Sequence, residues 1–353
     1  MDASVQDISG SLLGWYDSHA RTLPWRARPG SPAPKDGNWP YRVWLSEVML
    51  QQTTVAAVQA YFAKFTQRWP TVMDLAAADD ADVMSAWAGL GYYARARNLL
   101  ACARAIAARG GAFPDTEAEL RALPGLGDYT AAAVAAIAFG RRAVVIDANV
   151  ERVVARLFAI DTPLPTGRKA IREAADRITP DERSGDFAQA MMDLGSGICT
   201  LRSPRCLLCP LSASCRGKAA PERYPVKPAK KARPQRTGTA FWIERDGEVW
   251  VVRRADKGML GGMRALPDDG WNARADGNGE PPLAGEWQAA GQVEHTFTHF
   301  NLILSLKLYS GRVHARTAND EGEWWPVTRL DEAGLPTLFA KAARLALALR
   351  GDD

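Results

Sequence analysis

A chain of 353 residues, 47% hydrophobic and 24% charged, is too long for one ordinary core and too mixed for a disordered or fibrous protein, so two globular domains are expected. The net charge of +4 permits a nucleic-acid partner without requiring one, and no apolar run approaches the roughly 20 residues of a membrane span. The first twenty residues carry neither the basic start nor the continuous apolar stretch of an export signal, which predicts a cytosolic location, nucleoid-associated if the source is bacterial.

Residues 1–218 read as almost entirely helical. "YRVWLSEVMLQQTTVAAVQAYFAKF" and, further on, "VERVVARLF" repeat apolar residues at i, i+3, i+4 and i+7, with helix stops at Pro70, Gly89–Gly91, Gly110–Gly111 and Gly140. Within residues 38–63 the only charges are Arg42 and Glu47. The helical neighbours of Glu47 are Val43, Trp44, Leu50 and Gln51, so no cation offers it an i±3 or i±4 partner. A carboxyl on such a stripe is desolvated, which raises its pKa and suits it to general-acid work. Cys102 lies among apolar residues at helical spacing and reads as core.

"LPGLGDYTAAAV" (123–134) is a Gly-x-Gly turn feeding a small-residue helix. Gly125 and Gly127 are read as positions of positive φ and close backbone approach, ahead of N–H groups that bind an anion. Next comes "AVVIDANVERVVARLF", in which Asp147 caps the following helix; a helix N-terminus also keeps a carboxylate ionised.

Cys199, Cys206, Cys209 and Cys215 follow with the spacing C-x6-C-x2-C-x5-C. Four thiolates this close can wrap one tetrahedral ion, zinc generically, or a cubane cluster. Arg202 and Arg205 between them would offer positive charge to a phosphate backbone.

Residues 216–236 hold eight basic residues, one acidic residue and four prolines, and read as an extended basic linker. The expected division is a helical domain over 1–218, a linker over 219–236 and a mixed α/β domain over 237–353. In the last, "TAFWIERDGEVWVVRR" reads as two strands joined at Asp246-Gly247, "FNLILSLKLYSG" as a strand, and "PTLFAKAARLALALR" as an amphipathic helix.

"WLSEVMLQQT", "GLGYYARARNL", "LPGLGDYTAAAV", "IDANVERV" and "FAQAMMDLG", followed by the cysteine loop, resemble in order and spacing the MutY-type adenine DNA glycosylases of the endonuclease III, helix-hairpin-helix superfamily. The resemblance covers residues 15–215. It implies an all-α helix-hairpin-helix glycosylase domain with an iron–sulfur loop, then a Nudix-like α/β domain with a mixed sheet. The implied activity is excision of adenine opposite 8-oxoguanine or guanine in duplex DNA, by a monomer.

Carried over position by position, the four cysteines hold [4Fe–4S]. Glu47 protonates adenine and then handles the water, Asp147 stabilises the oxocarbenium-like sugar, Asn149 hydrogen-bonds in the same site, and Tyr129 lies beside the sugar and Asp147. Gln52 and Tyr92 enter the duplex as the base is flipped, and Gly125 and Gly127 hold a phosphate. Arg21, Leu23, Trp25 and Gln189 wall the adenine pocket. Phe297, Thr298 and His299 match a lesion-reading Phe-Ser-His loop, with threonine in place of serine.

The rival within the superfamily is a bifunctional enzyme for oxidised pyrimidines, which carries lysine where Tyr129 stands and lacks the second domain. A DNA-binding module without catalysis is disfavoured by retention of both Glu47 and Asp147. Nucleotide hydrolysis by the second domain is disfavoured because "GMLGGMRALPDDGWNARADGNGE" lacks the glutamate array that holds metal in Nudix hydrolases. "GGMRALP" also departs from the aromatic and acidic residues usual there.

Overall fold

In the computed structural model the chain divides into two compact units, residues 1–229 and 230–353; the structure describes residues 3–34, 36–228, 232–255, 259–311 and 322–349. The first unit is helical: α1 (Ala3–His19), α2 (Trp39–Leu50), α3 (Val55–Arg68), α4 (Val72–Ala76), α5 (Asp80–Trp87), α6 (Ala94–Ala107), α7 (Glu117–Arg121), α8 (Asp128–Phe139), α9 (Ala148–Leu157), α10 (Arg168–Ile178) and α11 (Ser184–Gly197). Helix α8 is apolar all round and buried from Thr130 to Ala136, so it runs through the middle of the unit. Its alanines let α2, α7 and α11 pack close. At the α11 crossing a side chain on Gly185 would put its Cβ 2.5 Å from the Ala136 carbonyl oxygen.

The apolar stretch 41–65 is not one helix. It breaks between α2 and α3, where Gln52 takes φ +58 and Thr54 caps α3 by accepting from the Ala57 N–H at 3.3 Å. The break is held by Arg95 of α6, a buried guanidinium with no carboxylate partner among the described residues. It donates to the carbonyls of Val48, Met49, Leu90 and Gly91 and to the Thr53 hydroxyl. Periodicity persists across the turn because the residues on both sides face the same core, so the sequence hides the break.

The segment read as a linker is not free over its first half. The N–H groups of Arg216 and Gly217 donate to the carbonyls of Leu157 and Arg156 at 3.0 and 2.9 Å, and Leu164 N–H donates to Val226 O at 2.9 Å. Arg156, fully buried in α9, draws in the Pro221 and Tyr224 carbonyls at 2.7 and 3.3 Å. Prolines and charge suit this stretch to an extended chain, and its Pro221 and Tyr224 carbonyls find one buried cation. Residues 229–231 of the segment lie outside the described residues.

The second unit carries β1 (Gln235–Trp242), β2 (Glu244–Arg245), β3 (Glu248–Arg253), β4 (Arg264–Ala265), β5 (Trp287–Thr296), β6 (Asn301–Tyr309), β7 (Gly322–Pro326) and α12 (Thr337–Ala348). One sheet has the order β1-β6-β5, with β1 parallel and β5 antiparallel to β6; the other has β2-β3-β4, with β7 also on β3. The sheet is therefore mixed and the unit α/β, as expected.

Asp246 and Gly247 do form the turn, with φ +50 and +79, and the pairing across it is short: Glu244 and Arg245 pair with β3, and the Ile243 carbonyl accepts from Trp250 N–H at 2.9 Å. The run before them leaves the hairpin at Ile243, and Gln235–Trp242 joins the other sheet. Alternation marks a strand without choosing its partner. After β4, residues 266–286 contain no helix. The last residue of the predicted C-terminal helical run, Arg350, and Gly258 of the glycine segment lie outside the described residues. No described helix is long and apolar enough to cross a membrane.

Candidate active site and cysteine loop

One cavity of about 990 Å³ in the helical unit gathers residues from six places in the sequence. Arg21, Leu23, Trp25, Glu47, Gln52, Gly125, Gly127, Tyr129, Asp147, Asn149 and Gln189 all line it. Tyr92 does not; it stands 60% exposed on the loop before α6, with φ +49. Tyr92 and Gln52 are both non-glycine residues in the left-handed region, a costly conformation that persists only where the surroundings enforce it. Arg95 enforces it here, since its donors reach both loops.

Glu47 on α2 is 5% exposed, and Tyr129 at the first turn of α8 donates to its Oε2 at 2.6 Å. Burial raises the Glu47 pKa above the ordinary carboxyl range, against the pull of the Tyr129 hydrogen bond and of the Arg26 guanidinium, and the nearby Asp147 charge adds to the rise. The Tyr129 hydroxyl is driven well above its usual value by burial first and then by Glu47 and Asp147. It remains a phenol that donates.

Asp147 caps α9. Its Oδ1 accepts from Val150 N–H at 2.7 Å and its Oδ2 from the Asn149 side-chain amide at 2.9 Å. Asn149 in turn accepts from Arg152 at 2.9 Å, and Arg152 donates onward to the carbonyls of Gly195 and Cys199 at 2.7 and 2.8 Å. A continuous chain of hydrogen bonds thus joins the Asp147 carboxylate to the first cysteine of the loop.

Of the two glycines before α8, only Gly125 has positive φ, +75, and a Cβ there would stand 2.6 Å from the Asn98 Cβ. Gly127 is extended, with φ −82, and a Cβ there would meet nothing within 4 Å. The expectation of a conformational need at Gly127 is corrected: what glycine provides there is a helix start with no side-chain cap, which leaves the first-turn N–H groups uncovered.

Two further residues bear on the cavity, one in its wall and one behind it. Arg26 lines it and is held by Asp193 of α11, at 2.7 and 3.0 Å. Arg26 is the second arginine of "RTLPWR". Asp193 is the lone charge after Asp186 on an otherwise apolar helix, the same signal that singled out Glu47. Gln189, one turn earlier, accepts from the Tyr16 hydroxyl at 2.7 Å, which leaves its amide N–H groups as donors. Burial pushes the Tyr16 hydroxyl up to about 12.

Cys199, Cys206, Cys209 and Cys215 line a second, small cavity together with Arg156, and none is in a disulfide. Arg156 donates to the Cys199 sulfur at 3.3 Å and to the carbonyls of Cys199, Thr200 and Leu201. Among the described residues no three such ligands are placed to hold a single metal ion. Four soft sulfur donors around one hollow are a donor set that fits an iron–sulfur cluster as well as zinc. Arg205, itself exposed, donates to the Gly197 carbonyl, and Leu207 is fully exposed at the loop tip. Cys102 is buried, and burial pushes its thiol up to about 12.

In the second unit Phe297, Thr298 and His299 form the turn between β5 and β6. Phe297 is half-buried, stacked on Phe300 at 4.8 Å and edge-on to His295 at 4.5 Å, whereas Thr298 and His299 are exposed.

Residues 45–180 match the HhH-GPD superfamily base excision DNA repair protein model, and residues 239–345 match a NUDIX domain. The chain is 32% identical over 97% of its length to a human adenine DNA glycosylase, 74% of which it covers. It is 43% identical to the adenine DNA glycosylase of Rattus norvegicus, over 97% of this chain and 78% of that one. Among solved structures, a thermostable thymine-DNA glycosylase superposes with a TM-score of 0.53 at 27% identity, over 61% of this chain and 97% of that one.

Proposed function

Since the chain belongs to the adenine DNA glycosylase family, whose members hydrolyse an N-glycosidic bond in base excision repair, we propose that it excises adenine opposite 8-oxoguanine, and opposite guanine, as a monofunctional, monomeric, cytosolic enzyme. The observation that carries this reading is the buried Glu47 held by Tyr129 in the same cavity as the capped Asp147.

Desolvation keeps Glu47 protonated at pH values where an exposed carboxyl has ionised. With Oε2 accepting from Tyr129, the other oxygen is free to carry the proton toward adenine N7. As that proton moves, the C1′–N9 bond breaks and its electron pair leaves with the neutral base. Positive charge develops on the sugar, where Asp147, held by Val150 N–H and Asn149, opposes it. Glu47, now a carboxylate, takes the proton of the water that adds to C1′. Arg21, Leu23, Trp25 and Gln189 would enclose the base, Gln52 and Tyr92 would hold the duplex open, and the uncovered N–H groups before α8 would hold a phosphate. In the second unit Thr298 and His299 are the groups available to read the opposite base.

Among the described residues that line the cavity there is no lysine. Tyr129 cannot form an imine and is engaged with Glu47, so water is the acceptor of the sugar. The expected result is adenine release from A:8-oxoguanine duplex ahead of A:G, none from A:T or oxidised-pyrimidine duplex, and an unbroken abasic strand. Efficient borohydride trapping with nicking at the excision rate would instead show a lyase.

Cys199, Cys206, Cys209 and Cys215 would hold [4Fe–4S], which when bound cross-links the loop around Arg156. Purified protein should be yellow-brown with about four irons per chain. Stoichiometric zinc in a colourless, active preparation would refute this assignment.

A further inference from the structure

Arg26 poses a problem for the acid step. Its side chain is 7% exposed, it lines the wall of the catalytic cavity, and its charge reaches Glu47. A guanidinium there favours the ionised carboxylate, which has no proton to donate. Asp193, 3% exposed and outside the cavity lining, answers it. Its Oδ2 accepts from Arg26 at 2.7 Å and from the Arg21 backbone N–H at 3.2 Å; its Oδ1 accepts from Arg26 at 3.0 Å and from Arg21 Nε at 2.7 Å. Every strong acceptor position of Asp193 is thereby used, so it has nothing left for substrate.

We propose that Asp193 is a positioning residue for base excision: it fixes Arg26 in the cavity wall and offsets part of its charge there, so that Glu47 keeps its proton beside a cation. The inference rests on the reading of Glu47 as the acid. Burial and the Asp147 charge at the start of α9 also favour the protonated form of Glu47, whereas Asp193 is the carboxylate bonded to Arg26. Tyr129 from α8 donates to it, Arg21 lines the same cavity and shares Asp193 with Arg26, and Arg95 of α6 donates to the Val48 and Met49 carbonyls at the end of α2. Arg42 on its own helix pairs with Asp36.

The test is the pH dependence of single-turnover adenine release. Asp193→Asn removes the counter-charge held against Arg26, so Glu47 should lose its proton earlier as pH rises. The alkaline limb of the profile should move down by about one unit, the lower end of what a nearby opposite charge does to a carboxyl. Release should fall roughly tenfold near neutrality and recover on acidification. Arg26→Gln should move the limb the other way, and Asp193→Asn with Arg26→Gln should bring it back. Asp193→Glu should retain the normal limb.

A uniform loss at every pH, or no movement in either single variant, would mean that Asp193 only packs. Should Asp193→Asn fail to fold, the Arg26→Gln and double variants still decide the matter. If Glu47→Gln releases adenine normally, the reading of Glu47 fails and this inference falls with it; if Glu47→Gln is inactive while the limb stays put in the Asp193 variants, only the inference falls.

Discussion

Glu47→Gln is expected to slow single-turnover adenine release by roughly 10³–10⁴-fold, the upper end of what a positioned general acid contributes, while affinity for the mispaired duplex stays near normal. Glutamine has the same shape and still accepts the Tyr129 hydrogen bond through its amide oxygen. What it cannot do is donate an acidic proton to the base or take one from water, and both steps fall on this one side chain. Burial of Glu47 adds a second expectation. A buried amide is cheaper to desolvate than a carboxyl that ionises, so the variant should be no less stable than the parent. With a raised pKa, the acid form of the parent is present below that pKa and lost above it, so its rate should decline as pH rises through a value higher than the usual carboxyl range. Duplex binding with rates within tenfold of the parent would remove Glu47 from the mechanism.

Asp147→Asn should cost roughly 10²–10³-fold in the same assay, the scale of losing one preorganised electrostatic partner of a developing charge. The substitution separates the two duties of this residue. Asparagine caps helices about as well as aspartate, so the bond from Val150 N–H at the start of α9 is kept. The other oxygen becomes an amide that faces the Asn149 amide, donor against donor, and Asn149 loses its acceptor. That conflict should cost about 1 kcal/mol, or a Tm shift of roughly 2–4 °C for a unit of this size. Asp147→Ala removes the cap as well and should lower stability by a further ~1 kcal/mol. Equal excision by Asp147→Asn and the parent would reduce Asp147 to a cap.

Much of this protein is local and therefore legible from its residues alone. Helical periodicity, the glycine turn before α8, the Asp147 cap and the cysteine spacing all lie within a few turns of chain, where 3.6-residue repetition and capping chemistry act. Glu47 could be singled out because its missing cation is a local absence, and the change from helical to strand grammar after the basic stretch marks two units without any knowledge of contacts. What needed the tertiary structure were partners far apart in sequence. Tyr129 meets Glu47 across 82 residues, Asp193 meets Arg26 across 167, and Arg95 collects carbonyls from two loops. The break at Gln51–Thr54, the docking of residues 216–226 onto Arg156 and the departure of β1 from its hairpin have the same origin. In each, a long-range acceptor or sheet edge outbids the local pattern, and no pattern in the sequence records which distant group that will be.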